Sequence, residues 1–356
     1  MPLSSCADDL ALIGKVHELA FRKCIPLSVN IEITLRCNLR CLHCYNFDRN
    51  QRRPRPDAPD LTPNEILNLM TEVRREGCLF LALTGGEVLS HPHLFDFLDY
   101  AFDLHFSVRL LTNGTLLEGE LVRRLARYQN LAALDLSLYG ASADVHDAIT
   151  QTPGSFARTW AGAVLLRDSG VKVHLKFILM HQNAHEAAAM IESAESGGFG
   201  YAIDFTITGR YDGTNGSLDT RISEEDIEPL LRGPLRDRLT AGGHEVTSES
   251  FACNCARANC AVSAQGDVYP CIAVPWKAGN IRQQPFAEIW RHSPVFEEIR
   301  NLRLEDYPHC SPCPHKAWCP RARGAAYLVS GKYTGIDPFV CRTAEVIHRI
   351  ATEPSL

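Results

Sequence analysis

Cys37, Cys41 and Cys44 constrain this chain more than any other feature: three thiols, with three and then two residues between them, in the stretch Cys37-Asn-Leu-Arg-Cys41-Leu-His-Cys44-Tyr45. They follow Ser28 to Thr34, where Val29, Ile31 and Ile33 alternate with Asn30, Glu32 and Thr34, the period of two of a strand half buried in a sheet. The thiols therefore fall on the loop that leaves the carboxyl end of that strand. Thiolates grouped on one loop can reach several irons of a cubane iron–sulfur cluster. Three of them leave one iron without a protein ligand, and an iron with an open position can bind and activate a small molecule. The competing reading is a zinc knuckle, which calls for a fourth ligand, with His43 the nearest candidate.

The remaining sequence decides what surrounds this loop. A chain of 356 residues, 45% hydrophobic and 22% charged, has material for one barrel-sized domain and a second module. A net charge of −6 without a long Lys/Arg run argues against a nucleic-acid surface. No apolar run reaches the ~18 residues of a membrane span, and Met1 to Asp9 lacks the features of a signal peptide, so a cytoplasmic location and no membrane partner are expected. The 14 cysteines, in a reducing compartment, are expected mostly to hold metal.

Taken in order, residues 1–27 carry one helix, Asp8 to Arg22. Asp48 to Pro59 reads as an exposed loop with solvated arginines. Thr62-Pro-Asn-Glu65 is a capping box with Pro at the first helical position, and Ile66, Met70 and Val73 follow at helical spacing. Strand-like runs recur at Cys78 to Leu83, Phe106 to Leu111, Leu131 to Leu138, Val171 to Met180 and Tyr201 to Thr208. Helical stretches separate them at His93 to Leu104, Gly119 to Tyr128, Ser155 to Asp168 and Ala184 to Ser196. This alternation predicts an α/β fold of parallel units, a partial (β/α)6 TIM-like barrel over residues 28–211. The cysteine loop, Gly85-Gly86-Glu87, Asn113 and Ser137 all fall at carboxyl ends of strands, where barrels gather reactive residues.

The three-cysteine spacing resembles the signature of the radical S-adenosylmethionine (radical SAM) enzymes. The resemblance implies that Cys37, Cys41 and Cys44 hold a [4Fe–4S] cluster whose open iron is chelated by S-adenosylmethionine (SAM), and that reductive cleavage of SAM yields a 5′-deoxyadenosyl radical. Gly85, Gly86 and Glu87 match the family's SAM-binding motif: the glycines admit close backbone approach and the carboxylate accepts from the ammonium group. By the same resemblance Asn113 and Ser137 make polar contacts to SAM, and His43 and Tyr45 lie near the adenine.

From Asp212 the chain turns polar and Gly-rich, a linker over residues 212–250 with a short helix near Ser223 to Leu231. Beyond it stand Cys253, Cys255, Cys260, Cys271, Cys310, Cys313, Cys319 and Cys341, with a hairpin signal at Ala264-Gln265-Gly266-Asp267. Residues 251–345 resemble the small cysteine-rich SPASM extension of radical SAM enzymes, with residues 346–356 a tail. The resemblance implies two auxiliary [4Fe–4S] clusters, three in all. Cys310, Cys313, Cys319 and Cys341 hold the distal one; Cys255, Cys260 and Cys271, joined by Cys253 or by an exchangeable ligand, hold the proximal one. The family's further cysteine, four positions after Cys319, is here Arg323.

The SPASM resemblance implies a maturase acting on a ribosomally made precursor peptide, supplied with electrons by a flavodoxin or ferredoxin type of donor. Residues 1–27 are too short for a leader-binding domain, so a separate leader-binding protein or the barrel itself would recognise the peptide. The alternative is a radical SAM enzyme modifying a small molecule such as a tetrapyrrole. A non-enzymatic iron–sulfur or zinc scaffold leaves Gly85 to Glu87 beside the thiols unexplained.

Overall fold

The computed structural model describes residues 6–50, 59–236, 243, 246–247 and 253–353. Parts of the expected loop at Asp48 to Pro59, of the linker 212–250 and of the tail lie outside the described residues. Six parallel strands, β1 (Ser28–Thr34), β2 (Phe80–Gly85), β3 (Ser107–Thr112), β4 (Leu131–Leu138), β5 (Val173–Ile178) and β6 (Gly200–Asp204), line up in sequence order. Helices α1 (Cys6–Lys23), α2 (Pro63–Arg75), α3 (Leu94–Asp103), α4 (Gly119–Leu125), α5 (Ala143–Thr150), α6 (Ser155–Asp168), α7 (Ala187–Ser196) and α8 (Glu224–Arg232) precede, connect and follow them.

Local chemistry explains the framing. Thr62 and Glu65 close the expected capping box, and Ile66, Leu69, Met70 and Val73 of α2 bury against Val29, Ile31 and Ile33 of β1. The opposite face of the strands is polar: Asn30 and Glu32 on β1, Arg109 on β3, Asp135 and Ser137 on β4, His174 and Lys176 on β5. Helix α5 has no counterpart among the expected elements because it is short; Ser142 caps it by accepting from the Val145 amide, and Gln151 ends it at φ 54°.

The cysteine-rich region is not a separate body. Strand β7 (Asn259–Val262) pairs in parallel with β1, Ser28 opposite Asn259 and Ile31 opposite Val262. Strands β8 (Asp267–Tyr269) and β9 (Gly279–Asn280) then extend one sheet to nine strands in antiparallel fashion. The domain boundary expected at residue 251 is thus bridged by backbone pairing, and Cys260, in β7, sits in the same layer as the barrel core. Helices α9 (Phe286–His292), α10 (Pro294–Asn301), α11 (Arg323–Ser330) and α12 (Pro338–Thr352) complete the described residues, among which no helix is long and apolar enough to cross a membrane.

Candidate iron–sulfur and cofactor site

The loop from Leu35 to Tyr45 is fastened on three sides. Arg40 and Leu42 donate backbone N–H to the Thr150 and Ile149 carbonyls at 3.0 and 3.1 Å, tying it to the end of α5. Arg210, 6% exposed, reaches the Leu42 carbonyl at 3.1 Å and the Cys44 carbonyl at 3.3 Å, while the Tyr211 amide donates to the Tyr45 carbonyl at 2.8 Å. Arg49 donates to the Cys44 sulfur at 3.2 Å and to the Leu35 carbonyl at 3.2 Å. The expectation that the arginines of this stretch are solvated fails for Arg49, which lies over the Phe47 ring and against the thiols. Aromatic packing and a thiolate partner outweigh its hydration, and its place shortly after the last thiol is the one mark of this role in the sequence.

Burial pushes the Cys37 and Cys41 thiols up, and mutual repulsion with Cys44 adds to it, while the Arg49 charge opposes the rise. Thiols held this way ionise when a cation arrives to compensate them, which is how metal binding and deprotonation couple.

Gly85 and Gly86 owe their identity to the protein's own backbone. Gly85 has φ 134°, and a Cβ there would stand 2.1 Å from the Thr34 carbonyl oxygen; at Gly86 it would stand 2.0 Å from that of Arg36. The two amides that follow complete the contact, Gly86 to Thr34 and Glu87 to Arg36, each at 2.7 Å. So β2 ends pressed against the root of the cysteine loop. Glu87 is fully buried and its carboxylate accepts from Thr112 Oγ1 at 2.6 Å, the Asn113 amide at 2.8 Å and the Leu89 amide at 2.9 Å. Burial raises its pKa against these three donors. Beyond any contact to an ammonium group, Glu87 fixes the end of β3.

Asn113, so placed, donates to the Asn38 side chain at 2.9 Å and points the same nitrogen at the Cys37 sulfur, 3.9 Å away. Ser137 acts on the Tyr139 phenol, easing the upward push of burial on its pKa. His43 stands edge-on to Tyr139 with ring centres 4.5 Å apart; burial pushes its imidazole down to about 4, and its Nδ1 is buried without a hydrogen-bond partner among the described residues. Tyr45 turns inward and donates to Glu32 at 2.6 Å. The structure therefore brings Cys37, Cys41, Cys44, Asn113, Glu87, Ser137 and His43 around one end of the barrel, while the Tyr45 side chain serves the interior.

In the C-terminal region the cysteines fall into two groups. Cys253 and Cys255 have sulfurs 3.1 Å apart, and the Cys255 thiol also senses Cys271. Cys319 and Cys341 both feel the charge of Cys310 and Cys313. Cys260 is fully buried in β7, where its thiol senses Cys78, the Arg300 guanidinium and Cys271. The apolar register of β7 against β1 turns it into the core. Arg323 brings both Nη atoms to the Cys310 sulfur, at 3.8 and 3.7 Å.

The donors gathered at each place are thiols, whose thiolates are the ligands that iron–sulfur clusters take at their irons. His43 Nδ1 on the first loop and the Tyr333 hydroxyl, which senses Cys253 and Cys255, are buried without hydrogen-bond partners among the described residues.

Comparison with known proteins agrees with this geometry. The family model described as the radical SAM superfamily matches residues 31–194, and that of SPASM, an iron–sulfur cluster-binding domain, matches residues 253–314. The AdoMet-dependent heme synthase of Methanosarcina barkeri is 32% identical over 345 residues, covering 88% of this chain and 96% of that protein. AlbA of Bacillus subtilis, the antilisterial bacteriocin subtilosin biosynthesis protein, is 27% identical over 316 residues, covering 85% of this chain and 68% of that protein. The crystal structure of Streptococcus suis SuiB bound to precursor peptide SuiA shares the fold, with a TM-score of 0.68 at 16% identity over 95% of this chain and 82% of that one.

Proposed function

The chain belongs to the radical SAM superfamily and carries a SPASM extension, and from that premise we propose that it modifies a carboxylate-bearing tetrapyrrole. Cys37, Cys41 and Cys44 would hold the cluster that binds SAM, and one-electron reduction there would supply a 5′-deoxyadenosyl radical for hydrogen abstraction from the substrate. In this reading Cys37, Cys41 and Cys44 hold the iron, Arg49 offsets the thiolate charge, and Gly85 to Glu87 with Asn113 and Ser137 form the cradle for SAM. Cys255, Cys260 and Cys271, joined by Cys253 or by an exchangeable ligand, serve the proximal auxiliary cluster and Cys310, Cys313, Cys319 and Cys341 the distal one. A flavodoxin or ferredoxin type of donor supplies the electrons.

The observation that carries the substrate class is the 32% identity to a heme synthase along 96% of that protein's length. The polar inner face of the barrel suits it: Lys176, half-buried on β5 between Ser137 of β4 and Ala202 of β6, is a cation available to a substrate carboxylate. A precursor peptide is the second reading, favoured by the 27% identity to AlbA; a peptide would lie extended across the strand ends, with or without a separate leader-binding protein. Anaerobic turnover with a reductant, SAM and a set of carboxylated iron porphyrins, followed by mass spectrometry, tests the first reading. Loss of mass from a porphyrin side chain supports it. No porphyrin product, together with modification of a peptide encoded beside this chain, replaces it with the second.

A further inference from the structure

The guanidinium of Arg323 stands where the two auxiliary cysteine groups meet. Arg323 opens α11 and is 7% exposed. Both its Nη atoms approach the Cys310 sulfur of the distal group, and its charge also reaches Cys319 of that group and Cys253 of the proximal one. Its plane lies over the Tyr307 ring, 4.5 Å from the centroid, and the Tyr307 hydroxyl in turn senses Cys253, Cys255 and Cys310. The next residue fixes the helix: a Cβ on Gly324 would stand 2.0 Å from the Ala273 carbonyl oxygen, so α11 is pressed against the chain that has just left Cys271. The arginine is thereby held from behind by backbone and from the side by a ring, and it has little freedom to swing into water.

A cation fixed beside thiolate ligands has one consequence that a thiolate in the same place would reverse. When an external one-electron donor reduces a cluster, the cluster's net charge falls by one unit and nothing else need change. A guanidinium keeps its proton throughout and favours the reduced form, and donation to a ligand sulfur acts in the same direction. We propose that Arg323 is a positioning residue that raises the reduction potential of the distal cluster through its contact with Cys310. This rests on the reading of the distal group as a cluster site.

The test uses the whole reconstituted chain without substrate. Iron content and an electron paramagnetic resonance titration are compared for wild type, Arg323→Met and Arg323→Lys. The proposal expects Arg323→Met to keep its iron and to shift the distal cluster's reduction equilibrium at least tenfold toward the oxidised form, about 59 mV for one electron. Arg323→Lys, which keeps a charge on a stem of similar length, recovers most of that shift. Potentials in Arg323→Met unchanged from wild type overturn the proposal. If Arg323→Met loses a cluster, Arg323→Lys decides: a potential near wild type supports the electrostatic role, and one displaced as far as tenfold overturns it. Wild-type protein that takes up no iron at Cys310, Cys313, Cys319 and Cys341 overturns it as well, and does so without touching the first cluster or the substrate reading.

Discussion

Arg49 donates from Nε to the sulfur of Cys44 at 3.2 Å, and the same side chain reaches back to the Leu35 carbonyl. One residue thus links the root of the cysteine loop to its last thiol. A charge-assisted bond of this kind is worth roughly 1.5–3 kcal/mol. Arg49→Gln is expected to keep the iron of the extension and to slow release of 5′-deoxyadenosine about tenfold or more at fixed reductant, with Arg49→Lys in between. Equal rates for all three would show that the contact does not matter to the chemistry.

Glu87 combines a structural role with a binding one, and two variants separate them. Three donors lose their acceptor in Glu87→Ala, and the expected cost is about 2–3 kcal/mol of stability, seen as a lower unfolding midpoint in urea. Glu87→Gln leaves an acceptor for Thr112 or Asn113 and recovers part of it. Isothermal titration of SAM into both variants reports on binding, where the Gln form, stable but without charge, is expected to hold SAM at least tenfold more weakly. Normal SAM affinity in Glu87→Gln would leave the carboxylate with a folding role alone.

His146, 1% exposed, gives the fold an acid-sensitive point. Its Nδ1 accepts from the Tyr139 amide at 3.1 Å, and burial pushes its imidazole down to about 4. The unfolded chain takes up a proton near the ordinary value of 6.5 that the folded chain refuses until about 4. Stability is therefore complete above about 6.5 and lost as pH falls through that window, by up to about 3 kcal/mol. In His146→Asn, which keeps an acceptor but cannot titrate, the difference between urea midpoints at about pH 7 and about pH 5 should shrink. An undiminished difference would place the acid sensitivity elsewhere.

The two halves of the molecule differ in how openly the sequence declares them. Strand β1 and helix α2 declare themselves through the alternation of Val29, Ile31 and Ile33 and through the Thr62 cap, because period and capping are local properties. The pairing of β7 with β1 is not local: Asn259 to Val262 carries no mark that it will add to a strand far earlier in the chain, so the extension is expected as a separate module. The glycines of Gly85-Gly86 are legible as a close approach, but what they approach is the Thr34 and Arg36 carbonyls. Arg49 and Arg210 offer little beyond their positions, since a buried arginine and a solvated one look alike until the loop they clamp is folded.

Cys253 and Cys260 can be told apart by iron content. Cys253 and Cys255 hold their sulfurs 3.1 Å apart, closer than thiolates on two corners of one cube stand, while Cys260 senses the charge of Cys271, so the proximal set proposed is Cys255, Cys260 and Cys271. Cys260→Ala is expected to lose one cluster's worth of iron, about four atoms, and Cys253→Ala to keep it. Full iron in Cys260→Ala with loss in Cys253→Ala would put Cys253 in its place.

In the proposed function the loop of Cys37, Cys41 and Cys44 is where SAM is opened. The measurement is 5′-deoxyadenosine released under anaerobic reduction by dithionite, in wild type and in a variant with all three cysteines replaced by Ala, each assayed beside its iron content. The proposed function predicts release by the wild type and none by the variant, which still holds the iron of the extension. Undiminished release from the variant would contradict it.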